Sequence, residues 1–147
     1  VPRGSYKNEH RSEDLSQLTF ADETFDLIIT SDVFEHVFDP FNAFNEIARV
    51  LKPGGAHVFT MPWYPELSKT VQRAALNGNE IVHLKEPVYH RNPINKEGSL
   101  VTFDWGRDFC DVIYGNSGLT PTIYLKKDKS IGLEAKFLEV FISTKKV

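Results

Sequence analysis

The sequence contains a single cysteine, Cys110, and only a small excess of negative charge, with a formal net charge of -3. It has no apolar run of the ~18 residues that a membrane helix needs, and no secretory signal pattern at its N-terminus. One cysteine excludes an internal disulfide and any zinc site built from cysteine pairs. Because nucleic-acid phosphates require a basic surface, nucleic-acid binding is not expected. We therefore expect a cytoplasmic protein without membrane contacts.

The residues that are present have the composition of one folded domain, with 41% hydrophobic and 25% charged residues in 147. Residues 1–5, Val-Pro-Arg-Gly-Ser, have the pattern left when thrombin removes an expression tag, so the domain is predicted to span residues 6–147. Within it, residues 62–102 have weak periodicity and are interpreted as a variable cap or insertion.

A strand, a helix and a second strand are predicted in succession. FDLIIT is apolar and β-branched without polar alternation, which is typical of a central parallel strand buried on both faces. Asp39 and Pro40 form an N-cap and a first helical position, and the apolar residues that follow recur at helical spacing. LKPGG ends that helix, and AHVFTM predicts the next strand.

The rest of the chain predicts two further helices and a hairpin. PELSKTVQRAAL favours a helix beginning near Pro65, and DFCDVIYGNS favours a last helix that stops at Gly118. LTPTIYL and AKFLEVFIST are β-rich runs that predict a terminal antiparallel hairpin. The expected fold is α/β and Rossmann-like, with helices on both faces of the sheet.

Residues 13–55 combine an acidic residue, a turn, a Phe-Asp strand, Glu-His and the run EIARVLKPGG. This combination of short motifs resembles the class I S-adenosylmethionine-dependent methyltransferases, particularly the small-molecule branch that includes quinone-biosynthesis enzymes. The resemblance implies methyl transfer from S-adenosylmethionine to a small-molecule acceptor. S-adenosylmethionine is the implied cofactor, and no metal is expected.

The resemblance also implies cofactor contacts at five positions. Asp14 matches the acid that accepts a hydrogen bond from the adenine amino group, and the N–H of Leu15 would meet a ring nitrogen. Thr30 and Ser31 match the strand end beside the methionine part, and His36 matches a position near the methyl group. The alternative for Asp14 is a turn whose carboxylate lies in water.

His36 is also the candidate catalytic residue, because imidazole accepts a proton near neutral pH. The alternative is a histidine that packs on the cofactor, since alignment supplies most of the acceleration in a direct displacement. Glu35 is expected to face solvent or to cap the following turn. As an alternative to the metal-free expectation, Asp32, Glu35 and His36 resemble the acid-x-x-Glu-His pattern that holds a divalent cation in some quinone O-methyltransferases.

Four residues are candidates for acceptor binding: Trp63, Tyr64, Tyr89 and His90. The first two follow the second predicted strand, and the last two lie in a segment that resembles a YH-x-x-P loop near the mouth of related sites. The structural alternative is that Trp63 and Tyr64 only seal the core. Tyr89 and His90 would then belong to a loop without a binding role, in which backbone carbonyls accept the hydrogen bonds of the histidine.

The resemblance covers the second half of the family's fold, strands 4 to 7. The family's glycine-rich loop and its ribose-binding acid have no counterpart, so this chain is expected to be inactive alone. FDLIIT would lack its neighbour, which predicts a homodimer or a swapped oligomer through this exposed strand. The alternatives are a non-catalytic scaffold or interaction module and a nucleotide-dependent dehydrogenase, the latter disfavoured by EHV and LKPGG.

Overall fold

The protein is described by a computed structural model that covers residues 1–92 and 96–147. Its strands are β1 (Tyr6–Lys7), β2 (His10–Arg11), β3 (Phe25–Ser31), β4 (Leu51–Thr60), β5 (Val71–Gln72), β6 (Ala74–Asn77), β7 (Glu80–His83), β8 (Tyr89–His90), β9 (Ser99–Leu100), β10 (Phe103–Asp104), β11 (Thr120–Leu125) and β12 (Glu139–Thr144). Its helices are α1 (Pro40–Val50) and α2 (Phe109–Ser117), and a short 3-10 helix covers Lys129–Ile131.

The central sheet contains four strands in the order β11, β12, β4, β3. β3 and β4 are parallel, whereas β12 runs antiparallel to both of its neighbours. The predicted strand, helix, strand unit and the terminal hairpin are therefore confirmed. The parallel register pairs Ser31 with Thr60, so the carboxyl ends of β3 and β4 lie side by side.

The two helices of the described chain begin and end at the predicted signals. The Asp39 carboxylate accepts a hydrogen bond from the N–H of Asn42 at 3.1 Å, and Pro40 opens α1. α2 ends at Gly118, whose φ of +70° is the left-handed conformation that glycine adopts without steric cost.

An aromatic core joins both helices to one face of the sheet. Phe59 of β4 is paired with Phe141 of β12, and their ring centroids are 5.2 Å apart. Phe44 of α1 packs on Phe59, and Phe109 of α2 packs on Phe141. The expectation of helices on both faces is therefore wrong for residues 1–92 and 96–147, because α1 and α2 share a single core.

β3 is an edge strand of the central sheet in the described part of the chain, with one covered face and one open face. Phe25 and Ile28 pack against the core, but Leu27 and Ile29 are 51% and 69% exposed. The prediction of burial on both faces is wrong, because no described element covers the second face. The apolar residues on both faces indicate that β3 is suited to burial on both sides, but they do not identify the element that covers the second face.

The predicted helix near Pro65 is wrong, because this segment pairs with other strands instead. β5 pairs with β10, and β6 and β7 form a hairpin whose two-residue turn has Gly78 at a φ of +61°. The cap prediction also includes residues 93–95, which lie outside the described residues. No helix within the described ranges has the length and apolar character needed to cross a bilayer.

His57 is a polar ring inside the aromatic core. It is 0% exposed, stacks on Phe59 with ring centroids 4.4 Å apart, and has its Nε2 atom 2.9 Å from the Thr30 hydroxyl. Its Nδ1 atom has no hydrogen-bond partner among the described residues. Burial lowers the pKa of His57 to about 3, so the folded protein keeps this imidazole neutral.

The contribution of His57 to the free energy of unfolding should therefore fall as pH drops from about 6.5 towards 3, while Glu35, whose pKa is raised by burial, contributes in the opposite direction between about pH 7 and 4.5. The unfolded chain gains a proton at His57 in that window and the folded chain does not, which amounts to about 2 kcal/mol between about pH 7.5 and about pH 5. His57→Gln should remove this part of the pH dependence in urea unfolding, whereas His10→Gln, at an exposed histidine, should keep it. Equal pH slopes for the wild type and His57→Gln would contradict the assignment.

Candidate functional site

A polar loop follows β3 at the carboxyl edge of the sheet. The hydroxyl oxygens of Ser31 and Thr60 are 3.0 Å apart, and the Thr60 hydroxyl donates to the Asp32 carboxylate at 3.3 Å. Asp32 has a φ of +51°, and its N–H donates to the carbonyl of Thr60 at 3.0 Å. The left-handed residue turns the chain away from β3 at the edge where open parallel sheets bind ligands.

A first cavity, of about 700 Å³, lies between this loop and residues 13–17. Asp14 and Leu15 line one side, Asp32 and His36 line the other, and Leu76 of β6 closes part of the opening. The Asp14 carboxylate accepts a hydrogen bond from the N–H of Ser16 at 2.9 Å, which fixes the carboxylate in a tight turn. The structure thus brings three of the five predicted cofactor positions to one cavity.

Arg49 of α1 attaches the segment before β3 to the domain. Its guanidinium donates to the carbonyls of Leu18 and Phe20 at 3.1 and 2.9 Å and to the carboxylate of Asp22 at 2.7 Å. Glu46 accepts from the same guanidinium and from the N–H of Leu18. The pKa of Glu46 is lowered chiefly by its hydrogen bond to Arg49. The wall that contains Asp14 therefore depends on α1.

A second cavity, of about 540 Å³, lies on the other side of His36. Its walls include Glu35 and His36 from the loop after β3, His90 from β8, and the apolar side chains of Pro62 and Phe137. Asp32 and His36 line both cavities, so the two cavities meet at these side chains.

The Glu35 side chain is buried, and the expectation that it faces solvent or caps a turn is wrong. Its relative exposure is 1%, and neither carboxylate oxygen has a hydrogen-bond partner in the described part of the chain. Burial, with a smaller contribution from the charge of Asp32, raises the pKa of Glu35 to about 7. A buried carboxylate without partners is costly, which is a reason to look for a function.

Two imidazoles approach the Glu35 carboxylate. His36 Nε2 and His90 Nδ1 each lie 3.7 Å from Glu35 Oε1, and the two rings meet edge to face with centroids 5.1 Å apart. The other nitrogen of His36, Nδ1, is 2.8 Å from the carbonyl oxygen of Leu100. Because a carbonyl only accepts, Nδ1 carries a proton, and Nε2 is the ring nitrogen that faces Glu35 in the second cavity.

Thr102 ties the cap segment to the loop after β3. Its N–H donates to the carbonyl of Glu35 at 2.7 Å, and its buried hydroxyl donates to the carbonyls of Glu35 and Val37 at 3.0 and 2.7 Å. Gly98 has a φ of +86°, and a Cβ there would collide with the carbonyl oxygen of His90. Thr102 and Leu100 were not predicted from the sequence. Gly98, which follows YHRNP, was the available signal that two backbone segments approach each other closely here.

The other predicted residues lie away from the cavities. The Thr30 hydroxyl is directed to His57 in the core, while Ser31 remains at the edge beside Thr60. Trp63 packs between Phe109 and Phe141 and donates to the carbonyl of Gly106. Tyr64 contacts Phe137, a wall of the second cavity, and Tyr89 is 53% exposed outside it. His90 is the predicted acceptor residue that reaches the second cavity.

Comparison with known proteins shows which proteins the chain resembles. Residues 2–59 match a family model described as a methyltransferase domain. The fold is similar to a S-adenosylmethionine-dependent methyltransferase of Methanosarcina mazei, which is 15% identical with a TM-score of 0.54 over 92% of this chain and 66% of that one. A second, of Mesorhizobium loti, is 16% identical with a TM-score of 0.57 over 90% and 67%. Residues 2–59 are thus similar to a methyltransferase domain, and the chain has the fold of S-adenosylmethionine-dependent methyltransferases. The resemblance seen in the sequence is confirmed.

The chain also has curated relatives that are described as uncharacterized methyltransferases. That of Mycobacterium sp. (strain JLS) is 39% identical over 66 residues, which are 45% of this chain and 23% of the relative. That of Mycobacterium leprae (strain Br4923) is 39% identical over 64 residues, 44% of this chain and 21% of the relative. The chain spans less than a quarter of the length of these relatives.

Arg49→Lys should lower the free energy of unfolding by about 1–3 kcal/mol, because lysine keeps the charge but cannot reach the several acceptors that the guanidinium joins. Urea unfolding measures the change. Lys52→Gln is the matched control: it breaks the exposed ion pair with Asp26 and should cost less than about 0.5 kcal/mol. Similar losses in the two variants would show that Arg49 is not a principal attachment.

Proposed function

We propose that the whole protein transfers a methyl group from S-adenosylmethionine to a small-molecule acceptor. The donor lies in the first cavity and the acceptor in the second. The observation that carries the proposal is that the two cavities meet at Asp32 and His36, beyond the carboxyl end of β3. Ligands of open parallel sheets bind at this edge, and transfer needs the two reactants in adjoining spaces.

One solved structure of similar fold supports this use of the two cavities. It is the Burkholderia thailandensis 1,6-didemethyltoxoflavin-N1-methyltransferase with bound 1,6-didemethyltoxoflavin and S-adenosylhomocysteine. It is 13% identical, with a TM-score of 0.50 over 90% of this chain and 48% of that one. At this identity the similarity concerns the fold, so the acceptor of this protein is left at the class of small molecules.

In the donor cavity, Asp14 would accept a hydrogen bond from the adenine amino group, and the N–H of Leu15 would donate to a ring nitrogen. The turn that Asp14 makes with Ser16 holds the carboxylate at the cavity wall. Ser31 and the backbone of Thr30 would lie near the methionine part. This chain covers a small share of its relatives' length, so we expect strong donor binding from the whole protein and weak binding from this chain alone.

His36 is the catalytic residue in this proposal, because its ring belongs to both cavities and would contact both the methyl group and the acceptor. In the transfer step, a lone pair of the acceptor forms a bond to the methyl carbon while the carbon–sulfur bond breaks and its electrons stay on sulfur. Alignment of the two reactants supplies most of the acceleration. The hydrogen bond to Leu100 favours one orientation of the His36 ring.

Asp14→Ala in the whole protein should weaken S-adenosylmethionine binding by about 10- to 100-fold, the usual effect of losing a hydrogen bond to a charged group. Isothermal titration calorimetry measures the affinity. Asp26→Asn is the control, because its carboxylate is 83% exposed and pairs with Lys52 away from the cavity. A wild-type protein that gives no heat with the donor would favour the non-catalytic scaffold, and tight binding by this chain alone would contradict the expected inactivity.

The open face of β3 supports a second copy of the chain as a partner. Leu27 and Ile29 are large, apolar and more than half exposed on a strand that the described residues leave at the sheet edge. Unpaired strand edges and apolar patches favour association. Nucleic acid and membranes are not proposed as partners, since the chain has a net charge of -3 and no basic surface excess.

Ile29→Lys should convert a dimer or larger oligomer to monomer, because it places a charge on the open face without disturbing the core. Multi-angle light scattering at several protein concentrations measures the mass. Leu125→Lys is the matched control, a 53% exposed leucine on β11 at the opposite sheet edge, and should leave the mass unchanged. A wild-type chain that is monomeric at all concentrations would rule out this association.

A further inference from the structure

The second cavity contains a cluster of three side chains that are close to one another but not joined by hydrogen bonds. One ligand-type atom from each of Glu35, His36 and His90 lies within 4.8 Å of the others. The buried Glu35 carboxylate points into the cluster, and neither of its oxygens has a hydrogen-bond partner within residues 1–92 and 96–147. The cluster thus contains a carboxylate and two imidazoles that can donate electron pairs, and no group that accepts these pairs is identified in the described part of the chain.

A positive group between these atoms would stabilise the Glu35 carboxylate. The His36 Nδ1 proton is committed to Leu100, so the atom that faces Glu35 is Nε2, which has a lone pair in the neutral ring. A carboxylate oxygen and a nitrogen lone pair repel each other in a buried site, where the effective dielectric constant is low. Either a proton or a metal cation between them would convert this repulsion into attraction.

The distances favour a metal ion over a shared proton. Both imidazole nitrogens lie 3.7 Å from Glu35 Oε1, whereas a hydrogen bond would bring such atoms to about 2.7–3.2 Å. Two atoms that bind the same ion at about 2.0–2.2 Å are themselves about 3.0–3.5 Å apart. The two spacings from Glu35 are therefore too wide for hydrogen bonds and would contract by a few tenths of an ångström around an ion, and the three ligand atoms all lie within 4.8 Å of one another.

We propose that Glu35, His36 and His90 bind a divalent transition-metal ion, with at least one coordination position open to the second cavity. Two imidazoles and one carboxylate form a ligand set used for Zn²⁺, Fe²⁺ and related ions. This set replaces the acid-x-x-Glu-His alternative: His90 takes the place of Asp32, whose carboxylate lies near the Thr60 and Ser31 hydroxyls. The proposal departs from the expectation of a metal-free site, which remains a prediction.

The surroundings hold the ligands as a metal site requires. The carbonyl of Leu100 fixes the tautomer of His36, which is the outer contact that metal-binding histidines commonly make. Thr102 holds the backbone of Glu35, and Gly98 leaves the space that the His90 carbonyl needs. Two separate segments of the chain thus place their ligands within reach of one ion.

The ion would also define the class of acceptor, an inference that rests on the proposed function. A hydroxyl oxygen in the open coordination position would release its proton to solvent water more readily than a free hydroxyl does, because the cation would stabilise the alkoxide or phenolate. The acceptor is therefore inferred to carry a hydroxyl group, with its oxygen as the atom that receives the methyl group. His36 then acts on the acceptor as a ligand of the ion.

Cobalt binding tests the site independently of methyl transfer. Chelator-treated protein titrated with Co²⁺ should develop visible ligand-field absorption at one ion per chain, and Zn²⁺ should displace it. His90→Ala and Glu35→Gln should each weaken Co²⁺ binding by about 100-fold or more, since each removes a ligand. His83→Gln, at an exposed histidine of β7, is the matched control and should bind as the wild type does.

The fold of each variant is checked by circular dichroism, and His90→Ala remains informative if Glu35→Gln does not fold, because the His90 side chain is partly exposed. Absence of cobalt absorption in the wild type, or absorption that survives His90→Ala, would overturn the proposed site. Loss of absorption in Asp32→Asn but not in His90→Ala would restore the alternative ligand set. Because no methyl donor is present, failure here is distinct from failure of the donor titration.

Discussion

The hydrogen bonds from Thr102 to the loop after β3 are the constraint on which the rest of the site depends. They join the carbonyls of Glu35 and Val37 to a segment that lies more than 60 residues later in the chain. Buried hydroxyl-to-carbonyl bonds are expensive to break, because both partners would lose solvation without compensation. These hydrogen bonds therefore fix the distance between β3 and the cap segment, and both cavities form beside them.

The core explains why this loop can be rigid. Phe44, Phe59, Phe109 and Phe141 connect both helices to one face of the sheet. His57 lies among them, and its contact with Thr30 joins β4 to β3 one residue before the polar loop. Close packing around an aromatic cluster leaves few alternative side-chain positions. The carboxyl ends of β3 and β4 are thus held by the core directly beneath them.

The sequence allowed prediction of those parts of the fold that local chemistry determines. The cap at Asp39, the stop at Gly118 and the terminal hairpin follow from backbone geometry that few residues can adopt. The burial of Glu35 and its approach to His90 could not be predicted, because they arise from contacts between segments far apart in the chain. The segment after Pro65 was misread for the same reason: strand pairing overrode its helical spacing.

The position of His36 between the two cavities has a thermodynamic consequence. A ligand in either cavity that favours one orientation of the ring changes the free energy of binding in the other cavity. Linkage requires this effect to be reciprocal and equal in both directions. The His36 imidazole is thus a wall that both cavities share, and the affinity of each cavity for its ligand depends on whether the other is filled. The order in which the two ligands bind is then determined by this one side chain.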